Sequence, residues 1–69
     1  MRYQQFAYWS PLAGTRVCRL SVFDEHGSEF HRTVPMTEGS RWRKDRESAL
    51  NLLADAIERG DQPGEVTCG

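Results

Sequence analysis

The sequence predicts an α+β fold in which an antiparallel β-sheet of three or four strands carries one α-helix on one face. Three short segments before residue 36 alternate apolar and polar side chains, the pattern typical of half-buried strands. A longer segment after residue 40 repeats its apolar residues every three or four positions, as an amphipathic helix does. Strands joined by short, turn-rich connections pair as antiparallel neighbours, so the predicted element order is β-β-β-α.

The three strands are predicted at residues 3–9, 16–23 and 29–34, with Pro35 ending the third. The second strand has the clearest pattern. It separates one face with Cys18, Leu20 and Val22 from another with Val17, Arg19, Ser21 and Phe23. One helix covers one face of a sheet, and we expect the other face to carry some combination of Trp9, Val17, Arg19, Phe23 and His31.

The helix is predicted at residues 42–59, with Ser40 as its N-cap and Gly60 as its C-terminal stop. Its stripe consists of Arg46, Ala49, Leu50, Leu53, Ala56 and Ile57. Residues 65–67 are predicted to add a short edge strand, which is the optional fourth strand of the sheet.

The length of 69 residues predicts a single domain spanning residues 1–69. The apolar fraction of 38% and charged fraction of 28% are typical of a folded chain. We find neither a signal peptide nor an apolar run long enough to span a membrane, and the chain begins with Met. We therefore expect a complete, small cytoplasmic protein. Because so short a chain builds a marginal core, a homodimer or a permanent partner is also expected.

Residues that could support catalysis are sparse. The two histidines, His26 and His31, match no metal or catalytic motif, and the six glycines are scattered one per loop rather than grouped around a phosphate. Cys18 and Cys68 lack zinc-ligand spacing, so two free thiols are predicted, with a bridge between them as the alternative. We expect no enzymatic activity, no cofactor and no metal.

The charge distribution suggests a binding site at the start of the helix. Residues 1–46 carry a net charge of +3 and residues 47–69 carry −4, within a total of −1. The candidate partner-binding residues of this basic cluster are Arg41, Trp42, Arg43, Lys44 and Arg46. Trp9 and Phe23 form a weaker candidate surface. The competing interpretation is that Trp42 caps the core and the basic side chains are a solvated face.

Three functions are compatible with these features. The first is a protein-binding regulator or inhibitor, for example a phage or mobile-element product acting on a host-defence complex. Arginine outnumbers lysine eight to one, a bias that GC-rich bacterial genomes and their phages share. The second is a nucleic-acid-binding accessory protein that uses the basic cluster, which the acidic C-terminal third disfavours. The third is a self-associating subunit whose strands pair across a two-fold axis.

Overall fold

A computed structural model describes residues 2–36 and 41–67, which form a four-stranded sheet with one helix on one face. The elements in chain order are β1 (Arg2–Ser10), β2 (Thr15–Phe23), β3 (Glu29–Pro35), α1 (Arg41–Arg59) and β4 (Gly64–Glu65). The predicted α+β fold is confirmed, and each of the four long elements extends one or two residues beyond its sequence pattern. The predicted N-cap Ser40 lies outside the described residues.

The first three strands form an antiparallel meander in the order β1-β2-β3. β1 and β2 are paired without interruption from Arg2 opposite Phe23 to Ser10 opposite Thr15. The β2–β3 connection is fixed by the Asp24 carboxylate, which accepts hydrogen bonds from the backbone N–H groups of His26 and Ser28, each at 2.9 Å. Short polar turns of this kind bring consecutive strands together as hairpins.

The fourth strand differs from the predicted antiparallel edge, because β4 pairs with β3 in parallel. The reason is the helix between them: α1 returns the chain to the beginning of β3, and a strand entered after such a crossover runs in the same direction. The backbone N–H of Val66 donates to the carbonyl of His31 at 2.8 Å, and the Arg32 guanidinium donates to the carbonyl of Val66 at 3.0 Å. These two bonds hold the chain after β4 against β3.

The helix ends where the sequence places its stop. Gly60 has a φ of 76°, which is the left-handed conformation that glycine adopts at low cost. Its N–H donates to the carbonyl of Ile57 at 3.1 Å, and the N–H of Asp61 donates to that of Ala56 at 3.0 Å. This is the hydrogen-bond pattern of a Schellman motif, which satisfies the last carbonyls of α1 and turns the chain toward β4.

The core lies between α1 and the face of the sheet that α1 covers. Its buried members are Cys18, Leu20, Val22, Phe30, Val34, Ala49, Leu53 and Ala56. Every strand residue in this set comes from β2 or β3. The predicted inward face of β2 is therefore confirmed, and Cys18 is a buried free thiol.

The helix covers only part of the sheet. α1 packs on β2 and β3, while no Cα atom of α1 lies within 8 Å of a Cα atom of β1. Helices are about 10 Å wide and strands lie about 4.8 Å apart, so one helix shields about two strands. β1 is thus left uncovered on both faces. Among the described residues there is no helix long and apolar enough to cross a membrane.

Candidate protein-interaction surface

The exposed aromatic side chains of the chain are concentrated in β1. Tyr3 is 44% exposed, Phe6 66%, Tyr8 37% and Trp9 61%, and we refer to these four residues as the aromatic edge. The only other large, exposed apolar side chain in the described ranges is Leu12, in the turn that follows β1. An apolar group of this size on one strand of a small domain is characteristic of an interaction surface.

The alternation of β1 divides the aromatic edge between the two faces of the sheet. Phe6 and Tyr8 lie on the face away from α1, and their rings stack with centroids 5.8 Å apart. Tyr3 and Trp9 lie on the helix side, where no Cα atom of α1 is within 8 Å of a Cα atom of β1. Two aromatic side chains therefore project from each face of β1. A partner that packs along this strand would contact all four.

The backbone of β1 adds polar groups to this surface. β2 occupies one side of β1, and no described strand pairs with the other side. Exposed edges are usually protected by charge, proline, a bulge or short length. β1 has nine residues in uninterrupted register, no proline or glycine, and a single charge at Arg2. Its outer N–H and C=O groups are consequently available to another strand.

The uncovered face next to the aromatic edge has a polar centre. The Glu29 carboxylate accepts hydrogen bonds from the Ser21 hydroxyl at 2.7 Å and from the Arg19 guanidinium at 3.2 Å. The bond from Ser21 and the adjacent positive charge of Arg19 lower the pKa of Glu29 below its ordinary value. Ser21 is itself buried in this arrangement. Arg19, Ser21 and Glu29 are thus engaged with one another, whereas the buried Nδ1 atom of His31, opposite Ser21, has no hydrogen-bond partner among the described residues.

Trp9 and Phe23, the weaker surface predicted from the sequence, are not brought together. Of the five residues considered for the uncovered face, Trp9 does not lie there, because it is opposite Arg16 and so shares the face of Cys18. Phe23 is at the far end of β2, with the Arg2 guanidinium 4.3 Å from the centre of its ring. The sequence pattern defined the faces within each strand, but the register decided which faces coincide.

The basic cluster at the start of α1 divides into two environments. Arg41, Arg43 and Lys44 are exposed, whereas Trp42 is half-buried and packs against the core. Trp42 therefore has the core contact that the competing sequence interpretation described. The three exposed cations remain on the surface of the first turns of the helix, where they could contact an anionic partner.

Arg46 is half-buried. Burial raises the pKa of the Cys18 thiol, and the positive charge of Arg46 partly opposes that rise. Tyr3 shows the same combination, since burial raises the pKa of its hydroxyl while Arg46 lowers it.

A shallow cleft at the other end of the domain is lined by acidic and apolar residues, including Asp24, Asp61, Phe30 and Ile57. Both carboxylates already have local partners: Asp24 accepts the turn amides, and Asp61 pairs with Arg59 at 2.8 Å. Within residues 2–36 and 41–67, no group of three His, Cys, Asp or Glu side chains could hold a metal ion.

Sequence reasoning missed Tyr3, Phe6 and Tyr8 as surface residues, because their alternation with small and polar residues is equally typical of a half-buried strand. A usable signal was present in the element order. The first strand of a meander lies at a sheet edge, and a single helix is too narrow to cover three strands. The most aromatic strand was therefore the strand with least cover.

No protein-family model, curated protein or solved structure matches this chain.

Proposed function

We propose that this chain is a non-enzymatic protein-binding domain whose contact surface is the aromatic edge of β1. The observation that carries the proposal is the exposure of Tyr3, Phe6, Tyr8 and Trp9 along one uncovered strand. Tyrosine and tryptophan are enriched among residues that dominate the energy of protein–protein contacts. Phenylalanine adds apolar area at little cost in side-chain entropy.

The proposed mode of binding is addition of a strand to the free side of β1. In this mode the main chain supplies the affinity through ladder hydrogen bonds, and alternate side chains supply the specificity. β1 offers both, because no described strand pairs with its outer backbone and its aromatic side chains flank it on both faces. The nine-residue length gives room for several ladder bonds, which is more than a short, bulged or charged edge would offer.

The finer proposal is that the chain acts in the cytoplasm as a regulator or inhibitor of a larger host complex, such as a host-defence complex. A domain with an exposed binding edge and no evident reactive site among its described residues would act by occupying a partner's surface. This role rests on size, composition and the aromatic edge, and it stays a prediction.

The experiment is affinity capture from nuclease-treated lysate of the organism that encodes the chain, comparing three variants. We expect one stoichiometric protein to be lost with Phe6→Lys and retained with Leu12→Lys, which adds the same charge to an exposed residue outside the strand. Arg43→Glu/Lys44→Glu tests the basic cluster separately. Loss of capture with that double variant alone would move the binding surface to α1 and contradict the proposal.

A second candidate function is favoured by the exposure of Arg41, Arg43 and Lys44. These cations could bind nucleic-acid phosphates. Three phosphate contacts predict a roughly 40-fold loss of affinity between 50 and 200 mM salt. Fluorescence anisotropy with labelled single- and double-stranded oligonucleotides at the two salt concentrations measures this directly. Binding that is weak and independent of these residues would remove the second candidate.

A further inference from the structure

The two edges of the sheet differ in how open they are to pairing. β4 is two residues long, begins directly after Pro63 and is followed by backbone already bonded to β3. β1 is nine residues long and has none of the features that protect an edge strand. An open edge of this length can pair fully only with a partner strand of similar length.

We propose that the partner of the aromatic edge is a second copy of this chain, with the two β1 strands paired antiparallel about a two-fold axis. The inference rests on the proposed function, since it names the occupant of the same surface. A two-fold axis perpendicular to the sheet keeps equivalent faces together, so both copies of α1 lie on one side of a continuous eight-stranded sheet.

The sequence of β1 is self-complementary in the register that pairs all nine residues. Full overlap of Arg2–Ser10 with its own copy places Phe6 on the two-fold axis, opposite the second Phe6. On the other face Tyr3 is opposite Trp9, so two aromatic cross-strand pairs form, one at each end. Aromatic pairs of this kind stabilise antiparallel strands.

The charges of β1 do not oppose this register. Its only charged residue, Arg2, is opposite Ser10 of the second copy, so no like charges face each other across the new ladder. The net charge of the whole chain is −1, so repulsion between two copies is small. A second copy supplies a complement to this aromatic strand with its single charge, because the same residues face each other in the self-paired register.

The aromatic edge supplies part of the area that a stable dimer buries. From the exposed fractions of 44%, 66%, 37% and 61%, the aromatic edge exposes roughly 400 Å² per copy, and about 800 Å² in two copies. Stable interfaces bury roughly 1,200–2,000 Å² in total. The paired backbones and the remaining β1 side chains would supply the difference. Because the β4 edge is short, assembly closes at two copies instead of continuing as a fibre.

The first test is sedimentation equilibrium of the wild-type chain, Phe6→Lys and Leu12→Lys over a range of concentrations. We expect the wild type and Leu12→Lys to form dimers, and Phe6→Lys to raise the dimer Kd about 100-fold or more, because it places two positive charges face to face on the axis. Phe6 is 66% exposed, so this change should leave the monomer folded, which circular dichroism checks.

Amide hydrogen exchange provides a readout that does not depend on a variant. In the dimer, every second N–H of β1, those directed away from β2, becomes protected as concentration rises. Two results would contradict a second copy as the partner. One is a monomer at all concentrations, and the other is a dimer that persists in Phe6→Lys while these amides still exchange fast. The protein-binding proposal would then stand if capture of another protein remained sensitive to Phe6→Lys, and it would fail if capture were insensitive as well.

Discussion

β1 and β2 have the same length and are paired residue by residue, yet their environments are opposite. Five of the nine residues of β2 are buried, and none of β1 is. Apolar content does not explain the difference, since β1 has four aromatic residues and β2 has one. One cause is the position of α1, which packs on β2 and β3 only. The other is strand order, since β2 lies between two strands and buries Val17 and Ser21 on the face away from α1, whereas β1 is at the edge. Thus the same kind of strand becomes core or exposed surface according to what covers it.

We expect the largest loss of stability from a substitution in the core of β2. Leu20 is fully buried, so Leu20→Ala removes transfer free energy and leaves a cavity, which should lower the free energy of unfolding by about 2–5 kcal/mol. Its cross-strand neighbour in β1 is the exposed Gln5, for which Gln5→Ala should change stability by less than about 0.5 kcal/mol. Urea unfolding followed by tryptophan fluorescence measures both, and similar losses would contradict the proposed asymmetry.

A second matched pair of substitutions introduces a hydroxyl group into each of the two strands. Cys18 is fully buried and lies opposite Ala7 of β1. Cys18→Ser should cost about 1–3 kcal/mol because a buried hydroxyl has to find a hydrogen-bond partner, whereas Ala7→Ser should cost less than about 0.5 kcal/mol. Thermal unfolding at neutral pH of both variants gives the comparison. Equal costs would mean that β1 is covered as well.

The Cys18 thiol also makes a prediction about pH. Because burial raises its pKa in the folded state, the thiol ionises more readily in the unfolded chain. The wild type should therefore lose stability as pH rises above about 8.5, the ordinary pKa of a thiol, and Cys18→Ser should show a smaller loss over the same range. Tyr3, whose pKa burial also raises, would add a loss only at higher pH, near its ordinary value of about 10.

The two phenylalanines at positions 6 and 30 sharpen the comparison further. Phe30 is 2% exposed and Phe6 is 66% exposed. Phe30→Ala should lower the free energy of unfolding by about 3–5 kcal/mol, and Phe6→Ala by less than about 1 kcal/mol, mainly through its lost stacking with Tyr8. Both are measured at concentrations at which sedimentation shows a monomer. A large loss for Phe6→Ala under those conditions would place Phe6 in the core of the monomer.

The smallest expected effect is at the polar centre of the uncovered face. Glu29→Gln weakens the charged bonds to Ser21 and Arg19, and at this exposed site should cost less than about 0.5 kcal/mol at pH 7. Since the folded pKa of Glu29 is lowered, its contribution is present above about pH 4.3 and is lost as pH falls through the folded value. The stabilities of wild type and Glu29→Gln should therefore converge in acid, and a gap that persists there would have another cause.

Much of the fold could be predicted from local patterns. The strands and the helix were located within one or two residues, and the inward face of β2 followed from alternation alone. The parallel direction of β4 could not be read in the same way, because it depends on α1 carrying the chain back across the sheet. The candidate site was predicted less well. The basic cluster stands out in the sequence, but the position of Trp42 against the core and the exposure of Phe6 depend on distant parts of the chain.

The sequence by itself determined the elements, their order and the two faces within each strand, because period-two and period-3.6 patterns and turn residues act over a few positions. Tertiary structure alone decided which strand the helix covers, which faces coincide across the sheet and which aromatic residues remain exposed. These outcomes depend on the pairing register and on the fact that one helix is narrower than three strands. For this protein they convert the most aromatic strand into its principal exposed surface.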